Sequence, residues 1–211
     1  MVRLITADAP DVVALQEVPL WATRKLEAWS GMTAASATAM PARLGPLARR
    51  VTDLDPVRFR SAFTGQANAL LVNPHFDVGD HRRLVLNPGL RRRRWLLGRE
   101  QRRVCQALAV EARGVELVVA NLHASTSPRL ATREAVRAAD FLADAERCIL
   151  CGDFNVPNHS VRGFSEPIDG IDQVLVRGLS VDRRPEAWPK ARRSVGARVL
   201  SDHAPVEAVI G

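Results

Sequence analysis

Short apolar runs recur along this chain, each about one β-strand long and each bordered by acid, amide or imidazole side chains. Val12-Val13-Ala14-Leu15 leads into Gln16-Glu17, and Val118-Val119-Ala120 into Asn121-Leu122-His123. Ile149-Leu150-Cys151 leads into Gly152-Asp153-Phe154-Asn155. Gly170-Ile171-Asp172-Gln173 opens Val174-Leu175-Val176, and Ser201-Asp202-His203 stands between Val199-Leu200 and Ala204-Pro205-Val206. Apolar runs of this length fit strands buried in a sheet. Strand ends are where a rigid scaffold offers side chains to a ligand. Alone, an Asp in such a place closes a turn or caps a helix, and a His makes a structural hydrogen bond. Repetition of the same oxygen and nitrogen chemistry at successive strand ends points instead to one shared site.

The connections between the runs decide what kind of sheet they build. Strands are expected at about 58–63, 66–73, 76–86, 101–112 and 115–121, the last two joined by the tight turn Arg113-Gly114. A helix is expected over about 129–145, with Leu130, Ala135, Val136, Ala139, Phe141 and Leu142 at helical spacing. A strand at 147–151 follows it directly, and further strands fall at about 171–177 and 204–210. Nearer the start, residues 3–8 read as the end of a helix stopped by Ala9-Pro10, and Pro19 opens a helix to about Ser30. Residues 31–57 are rich in Ala, Thr, Pro and Gly, with a short helix near 41–50. Hairpins mixed with strand–helix–strand units favour a layered α/β (α+β) fold with mixed sheets over a purely parallel one. With 211 residues, no internal repeat and no linker-like stretch, residues 1–211 are expected to form a single domain.

No apolar run approaches the ~18 residues needed to span a membrane, and the N-terminus has no basic-then-apolar leader pattern. A cytoplasmic, monomeric protein is the expectation. Cys148 and Cys151 form a C-x-x-C, but within the apolar run Arg147-Cys148-Ile149-Leu150-Cys151 they would point to opposite faces of a strand. All three cysteines therefore read as small core residues in a reducing compartment. The formal charge is +7, from 30 Lys and Arg against 23 Asp and Glu, and only Lys25 and Lys190 are lysines. This balance suits a polyanionic partner, and equally a bias toward Arg across a whole genome.

The chemistry of the clusters is coherent. Glu17 and Asp202 are hard oxygen donors suited to Mg²⁺ or Mn²⁺. Asp153 can align and deprotonate a water, Asn155 can hydrogen-bond beside it, and His203 can donate to a phosphoryl oxygen. A carboxylate partner, for which Asp172 is the candidate, would raise the His203 pKa and fix its tautomer.

In this order, Leu15-Gln16-Glu17, Asn121-Leu122-His123, Gly152-Asp153-Phe154-Asn155, Ile171-Asp172 and Ser201-Asp202-His203 resemble the motifs of the endonuclease/exonuclease/phosphatase superfamily, the DNase I-like proteins. The resemblance runs from about residue 3 to residue 209. It implies a four-layer sandwich of two mixed β-sheets packed face to face and flanked by helices. It implies Glu17 as principal metal ligand, Asp202 as a second, Asp153 as the residue that orients the attacking water, and Asn155 beside it. His203, oriented by Asp172, would contact the scissile phosphate, and His123 would stabilise the transition state or lie near the leaving group. Asn68, Asn121 and Arg102 are candidate substrate contacts.

Two departures stand out. Members of the superfamily begin with an Asn-bearing strand well before the Gln-Glu element; here no Asn precedes Asn68, so an upstream strand is expected to be missing from this chain. Abasic-site endonucleases carry a Tyr where His123 falls, and this chain has no Tyr. The Arg-rich stretch Arg91-Arg92-Arg93-Arg94-Trp95, with Arg99, Arg102 and Arg103, reads as a solvated loop or a phosphate contact with Trp95 stacked on a base. The expected activity is metal-dependent phosphodiester hydrolysis, with nucleic acid favoured as substrate. A lipid phosphodiesterase or phosphomonoesterase on the same scaffold, and an inactive polyanion-binding relative, are the alternatives.

Overall fold

The computed structural model describes residues 1–42, 64–88, 101–112 and 114–211. The helix expected near 41–50, the strand at 58–63 and most of the Arg-rich stretch lie outside the described residues.

The larger sheet has five strands in the order β4 (Asp77–Val85), β5 (Val104–Ala112), β6 (Val115–His123), β7 (Cys148–Asp153) and β8 (Asp172–Arg177). All its pairings are antiparallel except β6–β7, which is parallel. A parallel neighbour needs a crossover, and helix α4 (Pro128–Phe141) supplies it, starting with Pro in its first turn. The smaller sheet has three antiparallel strands, with β3 (Gln66–Val72) between β1 (Val12–Pro19) and β2 (Thr33–Met40). Every residue of β3 is buried, as a central strand covered on both faces requires. Strands β9 (Val181–Ala187) and β12 (Val206–Ile210) form a separate two-stranded ribbon, and β10 (Ser194–Val195) with β11 (Arg198–Val199) makes a short hairpin before the Ser-Asp-His segment.

Three cores define the layers. Leu70 and Val72 of β3 meet Leu108, Val110, Val119 and Cys151 of the larger sheet, so the two sheets pack face to face. On the outer face of the larger sheet, Cys105, Leu122, Cys148, Leu150 and Leu175 pack on Ala131, Ala135, Ala138 and Leu142. On the outer face of the smaller sheet, Val18, Ala69 and Leu71 pack on Ala22 and Leu26, from the short helices α2 (Leu20–Thr23) and α3 (Leu26–Ser30). Helices, sheet, sheet, helix is the four-layer α/β sandwich. Each buried Leu contributes roughly 1.5–3 kcal/mol to its cohesion. Cys148 and Cys151 fall in different cores, on opposite faces of β7, and all three cysteines are free and buried.

Several elements differ from expectation. The single helix expected over residues 19–30 is two short ones, broken at Arg24-Lys25, with Trp21 and Trp29 packed edge to face 6.2 Å apart. Strands β2 and β9 had no clear sequence signature. Of the apolar residues expected along helix α4, Ala135 and Leu142 are buried in the core and Ala139 and Phe141 pack against it, while Leu130 and Val136 are exposed and Ala131 and Ala138 complete the buried stripe. Small side chains let the helix lie close on the sheet, and helical periodicity follows that contact rather than residue size. No helix among the described residues is long and apolar enough to cross a membrane.

Candidate active site

Strand register alone assembles the centre of the site. His123, the last residue of β6, lies opposite Asp153, the last of β7, and Asp153 lies opposite Asp172, the first of β8. An imidazole and two carboxylates thus stand on three adjacent strand ends, about 4.8 Å from strand to strand. The approach is made possible by Gly152, whose φ is +129°. A Cβ there would sit 2.0 Å from the carbonyl oxygen of Leu122. Only glycine fits.

Asp153 is held by Asn155. The Asn155 backbone N–H donates to Asp153 Oδ1 at 2.8 Å, and its Nδ2 donates to Asp153 Oδ2 at 3.1 Å and to the Ala124 carbonyl at 2.9 Å. Asn155 adopts φ +51°, a left-handed conformation that asparagine tolerates better than most residues. Burial pushes the Asp153 carboxyl above its usual range and the Asp172 charge adds to this, while the Asn155 N–H, His203 and Arg103 oppose it.

Across from it, His203 Nδ1 lies 2.9 Å and 3.2 Å from the two oxygens of Asp172. The Asp172 hydrogen bond lifts the His203 pKa to about 9; burial opposes the rise, and the charges of Asp172, Asp153 and Asp202 support it. His203 is therefore an imidazolium near neutral pH, donating through Nδ1–H to Asp172 with Nε2–H as its second donor. Its segment is pinned by Ser201, whose Oγ accepts the His203 N–H at 3.2 Å, and by Arg193, whose guanidinium donates to the Ser201 carbonyl at 2.6 Å. Asp202 is exposed.

Glu17 reaches the site by a different device. Between Leu15 and Val18 the β1–β3 register slips, so Gln16 and Glu17 together stand opposite Asn68. Such a bulge re-aims a side chain, and here it carries Glu17 at φ +55°. The Gln16 Nε2 donates to Asn121 Oδ1 at 2.7 Å, and Asn121 Nδ2 donates to the carbonyls of Leu15 and Ala69, both at 2.9 Å. Asn121, wholly buried, thereby ties β6 to β1 and β3 across the sandwich. Asn68, also buried, donates to the Val104 carbonyl at 3.0 Å and ties β3 to β5. Arg102 is exposed, whereas the next residue, Arg103, turns inward as alternation on extended backbone requires.

Arg103 and Glu134 belong to the site and were not singled out as site residues from sequence. The Arg103 guanidinium lies 2.7 Å from His123 Nε2, and Glu134 accepts from the Ser125 N–H at 2.6 Å and the Ser125 hydroxyl at 2.7 Å. Burial lowers the Arg103 pKa, and the charges of Glu134, Glu17 and Asp153 oppose that loss. Burial, helped by the charges of Arg103 and His203, drops the His123 pKa to about 3, so His123 is neutral. The available signal for Glu134 was an acid on the sheet-facing side of an otherwise apolar helix stripe.

Ligand atoms of Asp153, Asp172 and His203 lie within 4.8 Å of one another, close enough to hold a cation. A protonated His203 has no lone pair to give, so its contact with Asp172 is an ion pair. The site's carboxylates, including Glu17, whose charge acts on Arg103, and Asp202, whose charge acts on His203, are oxygen donors of the kind a hard divalent ion takes.

The sequence model of the Endonuclease/Exonuclease/phosphatase family matches residues 1–203. No curated protein matches the chain in sequence. Among solved structures, an endonuclease/exonuclease/phosphatase from Bacteroides vulgatus superposes with a TM-score of 0.70 at 16% identity, covering 100% of this chain and 88% of that one. A humanized D. rerio TDP2 carrying 14 mutations gives 0.70 at 12% identity, covering 100% and 91%. The mannosyl-6-phosphatase Bt3783 of Bacteroides thetaiotaomicron VPI-5482 gives 0.66 at 15% identity, covering 100% and 88%. At such identities the likeness is one of fold. The family match over nearly the whole sequence, together with this fold, places the chain in the endonuclease/exonuclease/phosphatase family, a family of phosphoester hydrolases.

Proposed function

We propose that the chain hydrolyses phosphodiester bonds of nucleic acid with the help of a divalent cation, Mg²⁺ or Mn²⁺. The observation that carries this reading is the His203–Asp172 ion pair set beside the Asn155-held carboxylate of Asp153. It sets an acid beside a base, with ligand atoms of His203 and Asp153 within 4.8 Å of each other. Asp153 accepts the proton of the attacking water, and its raised pKa brings it closer to the range useful for a base. His203 donates Nε2–H to a phosphoryl oxygen and supplies positive charge where negative charge grows. Asn155, with its amide committed to Asp153 and Ala124, keeps the base in place.

Glu17 and Asp202 would hold the cation, which when bound supplies further positive charge to the phosphoryl and leaving oxygens. The net charge of +7 favours a polyanionic substrate. The test is to incubate single- and double-stranded oligonucleotides, a sphingomyelin vesicle and a small phosphate monoester with the protein and either Mg²⁺ or Mn²⁺. Metal-dependent oligonucleotide cleavage is expected. Turnover of the lipid or the monoester alone would reassign the substrate, and inert substrates throughout would refute the reading.

A further inference from the structure

We propose that Arg103 is a positioning residue that decides which nitrogen of His123 carries the ring proton. The Arg103 guanidinium stands 2.7 Å from His123 Nε2, and both side chains are buried, Arg103 being 7% exposed. A guanidinium has only N–H groups to offer and does not give up its proton in proteins. Contact at this distance therefore requires Nε2 to be the acceptor, which leaves the proton of the neutral ring on Nδ1. The contact is also built to last. The Arg103 N–H donates to Asn87 Oδ1 at 2.9 Å, and the Arg103 carbonyl accepts from the Leu86 N–H at 2.9 Å, so the backbone at the start of β5 is fixed on both sides.

The guanidinium itself sits in the combined field of Glu17, Glu134 and Asp153. These are carboxylates of three different elements, β1, α4 and β7, and each favours the charged guanidinium. His123 Nε2 is 3.6 Å from Asp153 Oδ2. With Nε2 unprotonated and occupied by Arg103, His123 does not donate to Asp153 and does not compete with the water for that carboxylate. The positive charge on this side of the site is then Arg103, and His123 serves it as a neutral acceptor. The tautomer stands by itself; its catalytic consequence rests on the phosphoester reading above.

The experiment is ¹⁵N–¹H correlation of the imidazole nitrogens in the intact protein near neutral pH, with the His123 signals identified by their loss in His123→Gln. In the wild type the expected pattern is Nδ1 at a protonated position and Nε2 at an acceptor position. Arg103→Met should collapse that separation toward a mixture of tautomers, while Arg103→Lys, which keeps a cationic donor, should retain it. A merely structural role for Arg103 would not move these signals. Wild-type signals showing Nε2 protonated would overturn the proposal without any variant, as would an unchanged pattern in a folded Arg103→Met. In the hydrolysis assay, kcat of Arg103→Met should drop about 10- to 100-fold, with partial recovery in Arg103→Lys. If the tautomer behaves as stated but no phosphoester is hydrolysed by the wild type, the phosphoester reading fails and the Arg103 assignment stands.

Discussion

Asp172 and His203 come together from a strand end and a loop, 31 positions apart, and the charge of one sets the state of the other. Because the folded pKa of His203 is raised to about 9, the pair's contribution to stability is complete below the ordinary histidine value of about 6.5 and is lost as pH rises through about 9. The same protonation governs its use as a donor. Hydrolysis is therefore expected to fall on the alkaline side near pH 9, the value that the ion pair gives His203. Asp172→Asn removes the carboxylate, so the alkaline limb should move down toward about 6.5. The pH dependence of kcat measures this, and a limb that stays in place would show that His203 is not the titrating donor. His203 and Asp172 were both legible as site residues in the sequence, because each sits in a polar cluster bordering an apolar run. Arg103 was less so: it lies beside Arg102 in a basic stretch, and only the alternation of the backbone, which needs the exact start of β5, tells the inward arginine from the outward one.

Among the elements, the strands flanking the site were visible in the sequence and the others less so, for physical reasons. Strands β6, β7 and β8 each carry a short apolar run, Val118-Val119-Ala120, Ile149-Leu150-Cys151 and Val174-Leu175-Val176. Strand β2, by contrast, is Thr-Ala-Ala-Ser-Ala-Thr-Ala-Met, with too little contrast between its faces to show a period. Strand β9 is mostly polar and exposed, and the ribbon it makes with β12 is legible only from that partner. The Ala stripe of α4 was partly masked by Leu130 and Val136, which face solvent. Gly152 tests how tightly β6 and β7 are joined at the site. A Cβ would collide with the Leu122 carbonyl at a φ disfavoured for any other residue. Gly152→Ala is expected to cost at least about 3 kcal/mol, read as a lowered midpoint in denaturant unfolding. A loss under about 1 kcal/mol would mean that the strand ends part more easily than their packing implies.

At the scale of the molecule, buried polar links join the two sheets: Asn68 to the Val104 carbonyl, Gln16 to Asn121, and Asn121 to the carbonyls of Leu15 and Ala69. The Asn121 link ties the Glu17 bulge to the strand that carries His123, so it keeps Glu17 in register with the rest of the site. Asn121→Ala would leave buried carbonyls and the Gln16 amide without their partner. Roughly 2–4 kcal/mol of stability is expected to be lost, visible as a thermal midpoint lowered by about 10 °C. A midpoint within a degree or two of wild type would place the joining of the sheets elsewhere. Such a framework brings carboxylates from the first twenty and the last sixty residues to one place, and the claim that follows is hydrolysis. Its most direct measurement is the rate of oligonucleotide cleavage by the wild type, Asp153→Ala and His203→Ala, with Mg²⁺ or Mn²⁺ and with chelator, on samples matched in circular dichroism. The expected result is metal-dependent cleavage that falls at least about 100-fold in each variant while the fold is retained. Near-wild-type cleavage in either folded variant would contradict the account.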